Sequence, residues 1–304
     1  MKSPSITARA TPDARSRADT SQPTIVFPTP ARPPMSSTAV RSTGSASQAI
    51  LVRSNEFGEA GRVQESVLGG GAVNEVVRVG ATVRRTPSER SQYVTELLAL
   101  FERLGWAGAP RFLGTDERGR EAFQYIEGRA AVGSEECSAA RGDGSLVRVA
   151  RLVRAFHDLT HGTPEAGDHD VVCHNDLAPK NTVYDTAWHP MAFVDWDLAA
   201  PGERVHDLAH VCWQYLDLGP AVTDVPEAAR RIALICEAYG LDDTGRLIDT
   251  VLWWQNRCRR GIEAGAERGE RGMAGLLASG VVDEIRAAHD WVAAHRRELG
   301  AFLD

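Results

Sequence analysis

The sequence predicts an α+β chain of two unequal lobes, a small β-rich one followed by a larger, mainly helical one. Three observations carry this expectation. At 304 residues and 33.0 kDa the chain is near the length at which a single core stops growing. Short strand-like runs dominate residues 64–126, and apolar positions at helical spacing dominate after residue 145.

Residues 1–45 are rich in Ser, Thr, Pro, Ala and Arg and have almost no apolar periodicity. Such a stretch buries too little surface to offset the entropy of ordering, so it is expected to be a disordered N-terminal extension. Its acid-poor, Arg- and Ser-rich composition also suits a transit peptide, but an amphipathic helix and a secretory apolar core are both missing. An upstream extension, or a start assigned too early with Met35 as the true start, is the simpler expectation.

Residues 46–127 read as the small, β-rich N-lobe. Strands are expected at 64–68, 73–79, 82–85, 111–114 and 121–126, with turns at Gly80 and at 116–119. One helix interrupts them, starting at Ser88 as N-cap, carrying Val94, Leu97, Leu98, Phe101 and Leu104 on one face, and stopping at Gly105.

Residues 128–304 read as the C-lobe. A polar, Gly-rich passage leads to a helix over 145–159 whose apolar face is Leu146, Val149, Leu152, Val153, Phe156 and Leu159. Two short strands at 182–184 and 191–194 precede helices over 205–218, 226–239, 243–265, 271–278 and 281–302.

Charge and composition exclude several roles. The net charge of −7 hides a basic extension, which leaves the body at −11, with 28 basic against 39 acidic residues. An acidic body repels a phosphate backbone, so nucleic acid is not an expected partner. No run of 18 apolar residues exists to cross a bilayer, and no protein partner is evident. Cys137, Cys173, Cys212, Cys236 and Cys258 are scattered, without metal-ligand spacing or an even count, which suits a reducing cytoplasm. Cys173 reads as a small buried strand residue.

The chemistry lies in His174-Asn175-Asp176-Leu177-Ala178-Pro179-Lys180-Asn181 and, after two short strands, Val194-Asp195-Trp196-Asp197. Phosphoryl transfer needs a group that orients the attacking hydroxyl and receives its proton, and oxygen ligands for the metal that neutralises the phosphates. Asp176 suits the first task, and Asn181 and Asp195 suit the second, with Mg2+ as the expected ion. The alternative is that all three are turn residues bounding two strands, since Asp and Asn favour turns. Upstream, Gly69, Gly70, Gly71 and Asn74 form a Gly-rich turn that would let backbone N–H groups approach phosphates, or an ordinary hairpin turn. It is not a Walker A loop, because no Gly-Lys-Ser/Thr follows.

With His206-Asp207-Leu208-Ala209, these motifs resemble, in order, the aminoglycoside phosphotransferase family, from about residue 65 to the C-terminus. The resemblance implies a bilobal protein-kinase-like fold and an ATP- or GTP-dependent phosphotransferase with a small-molecule hydroxyl substrate. It implies that His174 ties the catalytic loop to the strand bearing Asp195, and that Asp207 accepts hydrogen bonds from the loop backbone. The family's basic residue on the third strand, which holds the nucleotide phosphates, falls on Arg85, with Arg84 as fallback, where lysine is common. Glu96 on the next helix would pair with that arginine, or be a solvated surface residue. Gln124, Tyr125 and Ile126 resemble the hinge strand that meets the base. Asp197 either assists the metal or caps the segment after it, and Lys180 either assists the transferred group or is solvated.

Protein kinases carry a lysine where Ala178 stands and a longer segment than the 12-residue step from Asp195 to Asp207, so a protein substrate is disfavoured. Three readings stay open: an antibiotic-type phosphotransferase conferring resistance, a metabolic kinase of an amino alcohol or sugar (choline- or homoserine-kinase-like), and a non-catalytic immunity protein that sequesters a ligand. Trp213, Trp253 and Trp254 would serve the second as an aromatic cage, or simply pack the core.

Overall fold

The computed structural model describes residues 65–67 and 76–303. The expected extension over 1–45 and the Gly-rich turn with Gly69, Gly70, Gly71 and Asn74 lie outside the described residues.

The first lobe is a five-stranded antiparallel sheet in the order β1-β2-β3-β5-β4, made of β1 (Glu65–Val67), β2 (Val77–Val79), β3 (Thr82–Arg85), β4 (Phe112–Thr115) and β5 (Glu121–Gln124). Gly80, at φ 61°, makes the tight β2–β3 turn that a side chain would strain. In the β4–β5 turn, Asp116 Oδ1 accepts the N–H groups of Arg118 and Arg120 at 2.9 Å each.

Helix α1 (Ser91–Arg103) begins three residues later than Ser88. Ser88 serves instead in the preceding turn, where its Oγ accepts from Arg90 N at 3.2 Å and its carbonyl from Ser91 N at 3.1 Å. The buried face of α1, Val94, Leu97, Leu98, Leu100 and Phe101, does not stop at the sheet. Phe101 packs on Trp106, Phe156 and Trp196 with ring centroids 4.7, 6.4 and 5.1 Å apart, so one apolar core runs from α1 into the second lobe.

The second lobe opens with β6 (Arg129–Ala130), α2 (Ser134–Ala140) and α3 (Asp143–Thr160). The polar passage hides α2, which has seven residues and buries only Ala140, too little for a readable pattern. Two small sheets follow: β7 (Val171–Cys173) with β10 (Ala200–Gly202), and β6 with the hairpin of β8 (Thr182–Tyr184) and β9 (Pro190–Phe193). Helices α4 (Arg204–Leu216), α5 (Val225–Tyr239), α6 (Leu247–Glu267), α7 (Arg271–Ala278), α8 (Val281–Ala294) and α9 (Arg296–Leu299) complete it. Helix α6 starts later than expected because Asp243 and Thr244 are spent in a turn, accepting from Gly245 N and Leu247 N at 3.1 and 3.0 Å. The helix expected over 281–302 breaks at His295, whose Nδ1 bonds Trp291 O at 2.9 Å. Among the described residues no helix is long and apolar enough to cross a membrane.

Buried polar groups tie the loop between β7 and β8 to this frame. His157 on α3, His174 on the loop and His210 on α4 are all at most 1% exposed. His174 and His210 have their pKa values pushed down to about 4 by burial, so both are neutral in the fold at neutral pH. Above pH 6.5 the folded and unfolded chains hold these imidazoles alike. Below it the unfolded chain binds protons that the fold refuses until about pH 4, so acidification favours unfolding. Asp176, whose pKa is raised, shifts stability the other way over the same range, so the test compares urea unfolding of the wild type with that of His210→Gln. The stability difference in favour of the wild type should shrink by ~2 kcal/mol from pH 7.5 to pH 5. A difference that stays constant over that interval would contradict the burial of a neutral His210 imidazole.

Candidate active site

The loop after β7 cannot form sheet bonds, and its buried N–H groups need acceptors. Asp207, in the first turn of α4 and fully buried, supplies them. Its Oδ2 accepts His174 N at 2.7 Å and its Oδ1 accepts Asn175 N at 2.9 Å. His157 Nε2 lies 3.1 Å from Oδ2, and its Nδ1 is 2.7 Å from the Tyr239 hydroxyl. Burial opposes the charge of Asp207, but these donors outweigh it and hold the pKa below the usual carboxylate range. His157, Cys173 and Asp207 place ligand-type atoms within 4.8 Å of one another, but both Asp207 oxygens are already engaged, so the cluster is a hydrogen-bonded scaffold.

His174 occupies the position expected from the resemblance. Its Nδ1 accepts Asp176 N at 3.3 Å and its Nε2–H donates to Val194 O at 3.1 Å, which ties the loop to the segment carrying Asp195. Its ring packs 4.5 Å from Trp196. Asn175 takes a left-handed conformation, φ 66°, and its amide donates to Leu198 O at 2.9 Å.

Asn181 and Asp195 meet because β8 and β9 form a hairpin. Thr182 pairs with Phe193, and Val194 N donates to Asn181 O at 2.9 Å, so Asn181 stands opposite the residue before Asp195. Asn181 Nδ2 donates to Asp176 Oδ2 at 2.7 Å and to Asp176 O at 2.9 Å, which turns its amide oxygen away from Asp176. Asp195, at φ 64°, is surrounded by protein yet exposed to solvent.

Asp176 is 3% exposed, and its pKa is pushed up to about 7, chiefly by burial, with Lys180 opposing and Asp195 adding to the rise. Asp195 is also raised, by its recessed setting first and by Asp197 second. Asp176, raised in part by Asp195, and Asp195, raised in part by Asp197, lie beside an amide oxygen and form a hard oxygen-donor set whose repulsion a cation relieves. Asn181 Oδ1 and the Asp195 carboxylate therefore fit magnesium. Lys180 Nζ lies 3.7 Å from Asp176 Oδ2.

Arg85 faces this cluster and Arg84 does not, since successive residues of a strand point to opposite faces. Arg84 turns to Asp116, 3.5 Å away, whereas Arg85 donates to Asp197 across the lobes and to Glu121 at 3.0 Å. The pair expected between Arg85 and Glu96 is not formed. Glu96 sits on the exposed face of α1 and accepts Gln92 Nε2 at 3.0 Å, because the inward face of that helix is taken by Val94, Leu97, Leu98 and Phe101. Two of the three expected hinge amides are likewise already used: Gln124 N donates to Arg111 O at 2.8 Å and Tyr125 N to Ala81 O at 3.0 Å. Among the described residues no hydrogen bond takes up the N–H of Ile126, which leaves it available to a base edge.

The tryptophans form no cage. Trp213 and Trp254 are buried, Trp254 Nε1 donates to His206 O at 2.7 Å, and the exposed Trp253 has His206 stacked on its ring at 5.2 Å and Arg257 over it at 5.1 Å. Cys173 is fully buried in β7, its thiol raised by burial, as expected of a core residue.

Sequence reasoning missed His157, His210 and the role of Glu121. The first two show only as polar residues within apolar helical faces. Glu121 had a stronger signal, since a charge opening an otherwise apolar strand lies directly across from Arg85 in the β3–β5 register.

Comparison with known proteins bears on the fold and the family. The chain is 28% identical over 270 residues to the trifolitoxin immunity protein of Rhizobium leguminosarum bv. trifolii, covering 79% of this chain and 98% of that protein. Its fold matches the GDP complex of aminoglycoside 2'-phosphotransferase-IIIa with a TM-score of 0.53 at 13% identity, over 74% of this chain and 92% of that one. It matches Plasmodium vivax ethanolamine kinase with a TM-score of 0.52 at 13% identity, over 73% and 84% of the two chains. These likenesses give the bilobal kinase-like fold. The sequence profile described as the phosphotransferase enzyme family matches residues 77–247, more than half of the chain, and the protein belongs to that family of small-molecule kinases.

Proposed function

We propose that the protein moves the γ-phosphoryl group of ATP or GTP to a hydroxyl of a small molecule, with Asp176 as base and with Asn181 and Asp195 as magnesium ligands. One observation carries the reading: Asp176, Asn181 and Asp195 meet where the catalytic loop reaches the open end of the β8–β9 hairpin.

In this reading the acceptor hydroxyl hydrogen-bonds to Asp176, whose carboxylate receives the proton as the acceptor oxygen bonds to the γ-phosphorus. The bond from that phosphorus to the bridging oxygen breaks, and the nucleoside diphosphate leaves. Magnesium, when bound, would neutralise charge on the phosphates. Arg85 presents a guanidinium to the same cleft, and Lys180 adds positive charge beside Asp176. Asn181, by donating to Asp176 Oδ2, fixes the direction in which the base points.

The acceptor is proposed to be an aminoglycoside-type antibiotic or another toxic small molecule. The likeness to an immunity protein over almost its whole length supports a protective role. Retention of Asp176, Asn181 and Asp195 favours protection by turnover over sequestration, because mere binding makes no use of a base and two metal ligands. The choline-type reading loses its main support, since Trp213 and Trp254 are buried and Trp253 has His206 stacked on its ring.

A screen for nucleoside diphosphate release across aminoglycosides, macrolides, choline and small sugars tests the reading. On the acceptor found, Asp176→Asn should lower kcat by about a hundredfold or more while nucleotide affinity is kept, and unchanged turnover would overturn it. Asp176 works deprotonated, and its pKa is near 7 by burial. The kcat/KM of the wild type should therefore fall about tenfold per unit as pH drops below this value, and a profile flat from pH 8 to 5.5 would rule out Asp176 as the base.

A further inference from the structure

Arg85 and Glu121 are direct partners across the β3–β5 pair, with Arg85 Nε donating to Glu121 Oε2 at 3.0 Å. The two side chains are 11% and 4% exposed, and the Phe123 ring lies 4.7 Å from the guanidinium. A carboxylate so deeply buried needs a cation, and among the described residues Arg85 alone forms an ion pair with Glu121. Because Nε is committed to Glu121, the guanidinium is held in the orientation that turns its terminal nitrogens toward the second lobe. There Nη1 meets the Asp197 carboxylate, two residues beyond Asp195, and Nη2 is shielded from solvent without a hydrogen-bond partner among the described residues. That edge thus already receives one oxyanion and has a second donor to spare, which suits the bidentate binding of a phosphate group.

We infer that Glu121 is the residue that positions Arg85 for the nucleotide phosphates, the part that a glutamate on the helix after the third strand plays in protein kinases. The inference rests on the nucleotide-dependent function proposed above. It has a structural consequence. A clamp wired between two neighbouring strands of one sheet does not depend on where α1 sits, so it is formed before nucleotide arrives. Asp197 occupies the place of the incoming oxyanion and gives it up on binding.

The test is titration of the full-length protein with ADP and GDP in the presence of magnesium, and with adenosine and guanosine. For the base that the wild type prefers, Glu121→Gln should weaken the diphosphate by roughly ten- to hundredfold and leave the nucleoside unchanged, since only phosphates meet the clamp. On an Arg85→Gln background the same substitution should have no further effect, and Glu96→Gln should bind as the wild type does. Should the glutamine variant fail to fold, Glu121→Asp, which keeps the charge but shortens the reach, carries the same comparison. Equal weakening of nucleoside and diphosphate, or weakening of neither, overturns the inference. Absence of diphosphate binding by the wild type would instead overturn the nucleotide-dependent function itself.

Discussion

The carboxylate of Asp207 accepts two successive backbone N–H groups from the loop that carries Asp176, and the arrangement of the site follows from that contact. A loop between two short strands has no ladder to hold it, and His174, Asn175 and Asp176 are all buried. An ionised group with both oxygens occupied by donors is the strongest available anchor for such a backbone, because charge-assisted hydrogen bonds are about twice as strong as neutral ones. His157 supplies a further donor and Tyr239 orients His157 in turn, so helices α3, α4 and α5 all bear on the position of two peptide units. His174 then transmits this position to Val194, and through it to the segment bearing Asp195.

The coupling between lobes has an apolar and an ionic part. Phe101 of α1, Phe156 of α3 and Trp196 next to Asp195 form one aromatic cluster, which makes α1 a wedge between lobes as much as part of the first. Burying that face consumes the side of α1 that would otherwise point a carboxylate at β3. The ionic part, Arg85 between Glu121 and Asp197, lies at the cleft itself and responds to ligand charge in a way that packed rings do not.

Much of this was legible in the chain. The two short strand patterns between Asn181 and Asp195 are the hairpin that sets Asn181 opposite the residue before Asp195, and of the two arginines named on the third strand it is Arg85 that turns to the second lobe. What was not legible depended on facing surfaces. Whether Glu96 or Glu121 meets Arg85 turns on how α1 rolls about its axis, and that is set by Phe156 and Trp196, which are distant in sequence. The N–H groups of Gln124 and Tyr125 are lost to Arg111 and Ala81 through pairing that no local pattern announces. Helix α2 was missed because a seven-residue helix with one buried side chain has no periodicity to read.

The dependence of the site on Asp207 is tested most directly by amide hydrogen exchange in the unmodified protein. The N–H groups of His174 and Asn175 lie in a loop, yet as donors to a buried carboxylate they should exchange as slowly as the central amides of α4. Exchange at the rate of an open surface loop would mean that the carboxylate does not hold the backbone, and the account of how Asp176 is placed would fail with it.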